Sequence, residues 1–173
     1  MCIRDRVYAL AVSHNTNTVW CLVRGSHCIT SWNVLTTEKK CTIDLSEDLK
    51  WICYELNYDP SFLRVVSVEC VNDTIWLGLS CGVIMILTDT EQPRKIIHFK
   101  AYQQATECLL KIPLSDDQHH DHPMVLSGGY GEVSSLSNVA SERSGVVMLW
   151  HAFTANEFST ASKRHSNYRG SSV

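Results

Sequence analysis

An all-β fold made of repeated small sheets is what the sequence predicts, and three observations predict it. Short runs rich in β-branched and aromatic residues alternate with clusters of Ser, Thr, Asn, Asp and Gly, the pattern of strands joined by tight turns. The order of these runs recurs: "NTVW" ending at Trp20 returns as "DTIW" ending at Trp76, 56 positions later. Four-stranded units repeating every ~40–55 residues are the mark of β-propeller blades. Only residues 46–62 depart from the scheme, with apolar residues at helical spacing. The expected architecture is an incomplete β-propeller of about three four-stranded blades with a short helical insertion.

The elements follow in order. Residues 7–12, "VYALAV", form a first strand, and "SHNTNT" its turn. Residues 18–22 read as a second strand, "RGS" as a turn and 28–34 as the returning strand. After "LTTEKK", residues 41–45 are apolar at odd and polar at even positions, the period of a half-buried strand. A first blade thus spans 7–45. Leu49, Ile52, Cys53 and Leu56 then stand at helical spacing behind Ser46 and two acids, which suit a helix N-terminus. A second blade, 63–100, repeats the scheme, with strands over 63–71, 74–79, 83–88 and 95–100 and turns at Asn72-Asp73, Ser80-Cys81-Gly82 and "DTEQPR". A third, 107–152, is degraded: strands over 107–112, 124–127 and 145–150 are separated by a polar loop and a longer one. A single blade cannot bury both of its faces, so neighbours must cover them. Three blades are too few for a closed ring, since propellers use about 4–8.

Composition narrows the classes of function. At 45% hydrophobic and 19% charged residues the chain is ordinary globular protein, and a net charge of −3 offers no basic footprint for nucleic acid. The apolar run behind the N-terminus, 7–12, is too short for a signal sequence or a membrane span. The eight cysteines are dispersed, without Cys-x-x-Cys, and most lie inside apolar runs, which points to reduced, buried thiols and a cytoplasmic location. Asn72-Asp73-Thr74 is a glycosylation sequon that in the cytosol is a polar turn. Residues 1–6, "MCIRDR", resemble a leader carried by many unrelated sequences, in the manner of translated sequencing adapter. They are read as non-native, and the protein is expected to continue upstream of Val7. Residues 159–173 are Ser-rich, mildly basic and almost without aliphatic side chains, and are expected to be a disordered tail. Lys163 and Arg164 beside its serines could serve phosphorylation-controlled docking.

Candidate chemistry is sparse. The loop 115–123, "SDDQHHDHP", gathers three histidines and three aspartates, all ligand types for zinc or another divalent ion. His119, His120 and His122 are the candidate metal ligands, although a single flexible loop lacks the rigid frame a metal site needs, and a solvated loop is the expectation. "SGGYGE", 127–132, lacks the P-loop pattern and precedes no amphipathic helix, so its glycines, Gly128 and Gly129 included, are read as permitting positive φ where a strand leaves the sheet. Ser127, Ser134 and Ser135 sit in no nucleophile frame. Of the five tryptophans, Trp20, Trp32, Trp76 and Trp150 fall in strands and are expected in the core, whereas Trp51 in the insertion is the one least expected to be buried. Gly78 and Gly82 mark the strand and turn of the second blade. No catalytic residue, cofactor or metal is assigned.

"TIWLGLSCGVIMILTDTEQPRKIIHF", "ECLLKIPL" and "MVLSGGYGEVSSLSNVASERSGVVMLWHA" resemble the last blades of the WD-repeat-like propeller that closes leucine-rich-repeat kinases of the Roco family. They are also similar to the C-terminal propeller of large Rho guanine-nucleotide exchange factors. Both show a "W-[LIV]-G" strand, a Gly-bearing turn and a last blade ending in "LW" or "VW", here met by Gly78, Gly82 and Trp150, without a full Gly-His or Trp-Asp signature. The resemblance covers 7–158. It implies a non-catalytic scaffolding module within a larger cytosolic signalling protein, with protein partners, self-association and cytoskeletal contacts among them; the charge and the short apolar run, in turn, lead to no expected role for nucleic acid or membrane. The kinase, GTPase and exchange-factor modules lie outside this sequence, so none of their catalytic residues carries over. The alternative from another class is a small all-β metal-dependent hydrolase using the His-rich loop 115–123.

Overall fold

Three antiparallel sheets in chain order, with one helix between the first and second, make up the computed structural model, which describes residues 7–13, 16–72, 74–88, 96–112, 123–132 and 143–152. The first sheet is β1 (Val7–Ser13), β2 (Thr18–Val23), β3 (Cys28–Asn33) and β4 (Lys39–Asp44). Helix α1 (Ser46–Leu56) and a 3₁₀ turn (Pro60–Phe62) follow. The second sheet is β5 (Val65–Val71), β6 (Thr74–Leu79), β7 (Val83–Thr88) and β8 (Ile96–Lys100). The third is β9 (Thr106–Ile112), β10 (Met124–Glu132) and β11 (Arg143–His151). Each sheet is a meander in which neighbours in sequence are neighbours in space.

Turn chemistry sets these hairpins. Gly25 between β2 and β3 and Gly82 between β6 and β7 both sit at φ +80°, where a side chain would strain the backbone. Asn17 and Asn72 adopt positive φ at the β1–β2 and β5–β6 turns, as asparagine tolerates better than most residues. Thr18-Val19-Trp20 and Thr74-Ile75-Trp76 fill the same first three positions of β2 and β6, which is the structural content of the 56-residue echo.

The first strands β1, β5 and β9 pack side by side, so the sheets stand in a row with the second in the middle. Every residue of β6 and β7 is buried. Alternation divides them between two cores: Ile75, Leu77, Leu79, Val83, Met85 and Leu87 face the first sheet and α1, while Trp76, Ile84 and Ile86 face the third sheet with Leu109, Val125 and Ala152. Among the described residues, the end sheets are covered on one side only. Ala11, Trp20, Leu22, Ile29 and Ile43 point inward from the first, whereas Tyr8, Leu10 and Val12 are exposed on its other face. On the third, Leu109 and Val125 point inward and Leu110, Val147 and Leu149 outward. This is the all-β, incomplete propeller that the sequence pattern predicts.

Helix α1 is amphipathic on a three–four spacing, burying Leu49, Ile52 and Cys53 in the core shared by the first two sheets. Leu49 and Ile52 each contribute roughly 1.5–3 kcal/mol by leaving water. Asp44 Oδ1 accepts from Ser46 N (2.9 Å) and Ser46 Oγ (2.5 Å), and Asn57 at φ 50° ends the helix by donating its backbone N–H to the Tyr54 carbonyl.

The structure corrects two expectations. Trp32 is 41% exposed, because it lies on the outward face of the first sheet opposite Val19, where no described sheet covers it. The segment 127–132 does not leave its sheet. β10 runs unbroken to Glu132 against β11, and among the described glycines only Gly25 and Gly82 have positive φ. Gly129 is needed for space instead, since a Cβ there would lie 2.6 Å from the Tyr102 ring and 2.8 Å from the Ala105 carbonyl, whereas one at Gly128 would meet only the movable Cys108 Sγ, at 2.7 Å.

Candidate interaction surface

The Ser80-Cys81-Gly82 turn is a packed joint. Gly82 N donates to Leu79 O (3.0 Å), and Gly82 O accepts from Ala101 N and Tyr102 N, both at 2.9 Å. Lys100 Nζ donates to Cys81 O. Ser80 Oγ donates to Phe62 O (2.7 Å) and accepts from Arg64 N (3.0 Å), tying the turn to the insertion. Burial pushes the Cys81 thiol above its ordinary value, against the lowering influence of a Val83 backbone hydrogen bond and the Lys100 charge. A buried thiol held in its protonated form is a poor nucleophile, so the joint is structural.

Other positions singled out in the sequence make packing and hydrogen-bond contacts. Gly78 lies where β6 meets the third sheet, and a Cβ there would fall 2.1 Å from Ser67 Oγ and 2.6 Å from Thr106 O. Ser67 Oγ donates to that same Thr106 carbonyl at 2.9 Å, so the missing side chain lets one sheet hydrogen-bond the next. Trp76 Nε1 donates to Thr74 Oγ1 (3.1 Å), which donates to Val71 O (2.7 Å). Trp20 is as deeply buried, yet its Nε1 has no hydrogen-bond partner among the described residues. Trp150 Nε1 donates to Ser127 Oγ at 2.6 Å, and Tyr102 donates its hydroxyl to Ser127 O at 2.8 Å. Sequence reasoning missed this Tyr102–Ser127–Trp150 network, and nothing in the loop "AYQQ" around Tyr102 signals it. Burial raises the Tyr102 phenol above its usual range. Ser127, fully buried, therefore serves as a bridge inside the third sheet.

His119, His120 and His122 lie outside the described residues, as do Ser134, Ser135, Lys163, Arg164, residues 1–6 and the tail 159–173. Among the described residues no three His, Cys, Asp or Glu side chains come together as a metal site, and no helix is long and apolar enough to cross a membrane.

Besides the outward faces of the end sheets, two surfaces among the described residues are open to a ligand or partner. One is a hollow of about 350 Å³ where β1, β5 and β9 meet, lined by Leu10, Val12, Ser13, Glu69, Asn72 and Lys111 among others. The Glu69 carboxylate is held there by the backbone amides of Cys70 (2.9 Å) and Lys111 (3.4 Å). The other is the solvent face of α1, where the Trp51 and Tyr54 rings lie 5.9 Å apart, tilted by 34°. Trp51 is 45% and Tyr54 81% exposed. A hydrogen bond of 2.9 Å between His98 Nε2 and Glu55 Oε2 links this helix to β8.

With that geometry in view, the comparisons with known proteins are specific about family and coarse about structure. The family model described as the LRRK2 beta propeller matches residues 2–150. A search of the curated proteins finds no match. Among solved structures the chain is similar to Saccharomyces cerevisiae Sqt1, with a TM-score of 0.48 and 9% identity over 70% of this chain and 28% of that one. It is also similar to the computationally designed Ika4 protein, with a TM-score of 0.40 and 12% identity over 87% of this chain and 93% of that one.

Proposed function

The chain belongs to the LRRK2 β-propeller family, and from that premise we propose that it is a non-catalytic protein-interaction module, the terminal part of the propeller of a larger cytosolic signalling protein of the Roco type. The family match over 2–150 carries the reading. The sheets support it in detail: the middle one is buried on both faces, and each end sheet presents an open apolar face of the kind its neighbours bury. Propellers bind through rims and loops presented on such a rigid frame, and the described polar clusters serve packing, with a raised thiol at Cys81 and a bridged Ser127. The described cysteines are free thiols, which fits a reducing compartment.

Reading the transcript upstream of Val7 tests this. Further blade-length repeats behind a GTPase–kinase pair are expected. A start codon at residue 1 yielding a folded, monomeric 173-residue product would overturn the terminal-fragment reading, and zinc retained stoichiometrically through purification would overturn the non-catalytic one.

A further inference from the structure

Exposed large apolar side chains fall into three main groups. Val7, Tyr8, Leu10, Val12 and Trp32 lie on the first sheet's outward face, and Leu110, Val147 and Leu149 on that of the third, where neighbouring blades account for them. The third group, Trp51, Tyr54 and Phe62, belongs to the insertion and has no such explanation. Trp51 sits one helical turn after Glu47 and one before Glu55, so the two rings lie on one face between two carboxylates.

Charge identifies what fits this face. Residues 46–62 hold four carboxylates, Glu47, Asp48, Glu55 and Asp59, against one lysine, Lys50, a net of −3 that equals the charge of the whole chain. The negative excess of the chain is therefore concentrated on this insertion. The Glu47–Lys50 ion pair and the Glu55–His98 hydrogen bond are solvent-accessible and compete little with an incoming cation. A guanidinium can stack on an indole face while its N–H groups pair with a neighbouring carboxylate. Anionic lipid and nucleic acid would be repelled.

We propose that the Trp51–Tyr54 ring pair between Glu47 and Glu55 docks an arginine-bearing basic segment of a partner protein. This deepens the interaction-module reading and rests on it only in taking the ligand to be a protein. Fluorescence anisotropy of the 173-residue chain with fluorescein-labelled peptides of alternating Gly and Arg, Gly and Lys, or Gly and Glu tests it. The Arg peptide should bind more tightly than the Lys peptide, and the Glu peptide should not bind. Trp51→Ala should weaken the Arg peptide about two- to fivefold, the worth of one exposed ring–cation contact, and erase its advantage over Lys. Tyr54→Ala, at a more exposed position, gives the same test should Trp51→Ala fail to fold. Glu47→Gln with Glu55→Gln should weaken both basic peptides and flatten the salt dependence. Equal binding of Arg and Lys peptides, or Arg binding untouched by both ring substitutions, would overturn the site while leaving the module reading intact. Preference for single-stranded DNA or phosphatidylserine vesicles would overturn both the partner class and that reading.

Discussion

Replacing Gly82 with alanine should cost far more than replacing Gly25, although the two share φ +80° and equivalent turns between the second and third strands of their sheets. An L residue forced into the left-handed region costs about 1–2 kcal/mol, and that is the whole penalty at Gly25, where an added Cβ meets nothing within 4 Å. At Gly82 the same Cβ would lie 2.1 Å from Tyr102 O and 2.2 Å from Gln104 O. Both are backbone atoms, so relief requires moving residues 101–104. That movement strains the bonds from Ala101 N and Tyr102 N to Gly82 O and pulls Tyr102 away from Ser127. Overpacking adds about 1–3 kcal/mol, and each weakened hydrogen bond about 1 kcal/mol. Gly82→Ala should then lose about 3–5 kcal/mol, at least about 2 kcal/mol more than Gly25→Ala. Urea unfolding reads the difference, since a slope of about 1–3 kcal/mol/M separates the two midpoints by roughly 1 M. Coincident midpoints would refute the packed-joint account of the turn.

Stability should fall on the alkaline side. Burial holds the Cys53 and Cys81 thiols and the Tyr102 phenol above their ordinary values, so the folded chain keeps protons that the unfolded chain releases. The contribution is complete below the unfolded thiol value near ~8.5 and is lost as pH rises through the folded values; a urea midpoint flat between pH 7 and 10 would contradict it. Iodoacetamide should label Cys108, the exposed thiol, first, and reach Cys21, Cys53, Cys70 and Cys81 only on unfolding, and mass spectrometry showing early modification of Cys81 would refute its burial. Leu10→Lys and Leu149→Lys, at positions 60% and 52% exposed on the open faces of the end sheets, should raise the concentration at which the chain stays monomeric in sedimentation, and an unchanged association would remove those faces as the sticking surfaces.

What was legible in the sequence was local. Hairpins announce themselves through residues such as Gly25 and Gly82, whose backbone needs are met within a few positions, and α1 through the spacing of Leu49, Ile52 and Cys53. Trp51, the tryptophan least expected to be buried, lies on the exposed side of that same helix. Tertiary circumstances decided the rest. Trp20 and Trp32 read alike as strand tryptophans, yet one faces the middle sheet and the other the open end of the row. Gly129 carries the same letter as a turn glycine, but its reason is a neighbour, the Tyr102 ring, that only sheet packing brings there. The bond from Trp150 to Ser127 spans 23 residues, and no local pattern encodes a partner that far away.

The candidate docking face depends on how α1 is held. The helix buries Leu49, Ile52 and Cys53 in the core that also contains Ile43 of the first sheet and Val83 and Leu87 of the second, so it is wedged between two blades. Its far end is tied down by Tyr58 N donating to Cys53 O (2.9 Å) and by Ser80 Oγ donating to Phe62 O (2.7 Å), and its flank by Glu55 on His98 of β8. Binding to a loop would require ordering its backbone at about 1–2 kcal/mol per residue. On a helix fixed from three directions that ordering is already complete, and only side-chain freedom at Trp51 and Tyr54 is lost. Such pre-organisation lets two exposed rings and their flanking carboxylates act as a recognition surface rather than as a solvated face.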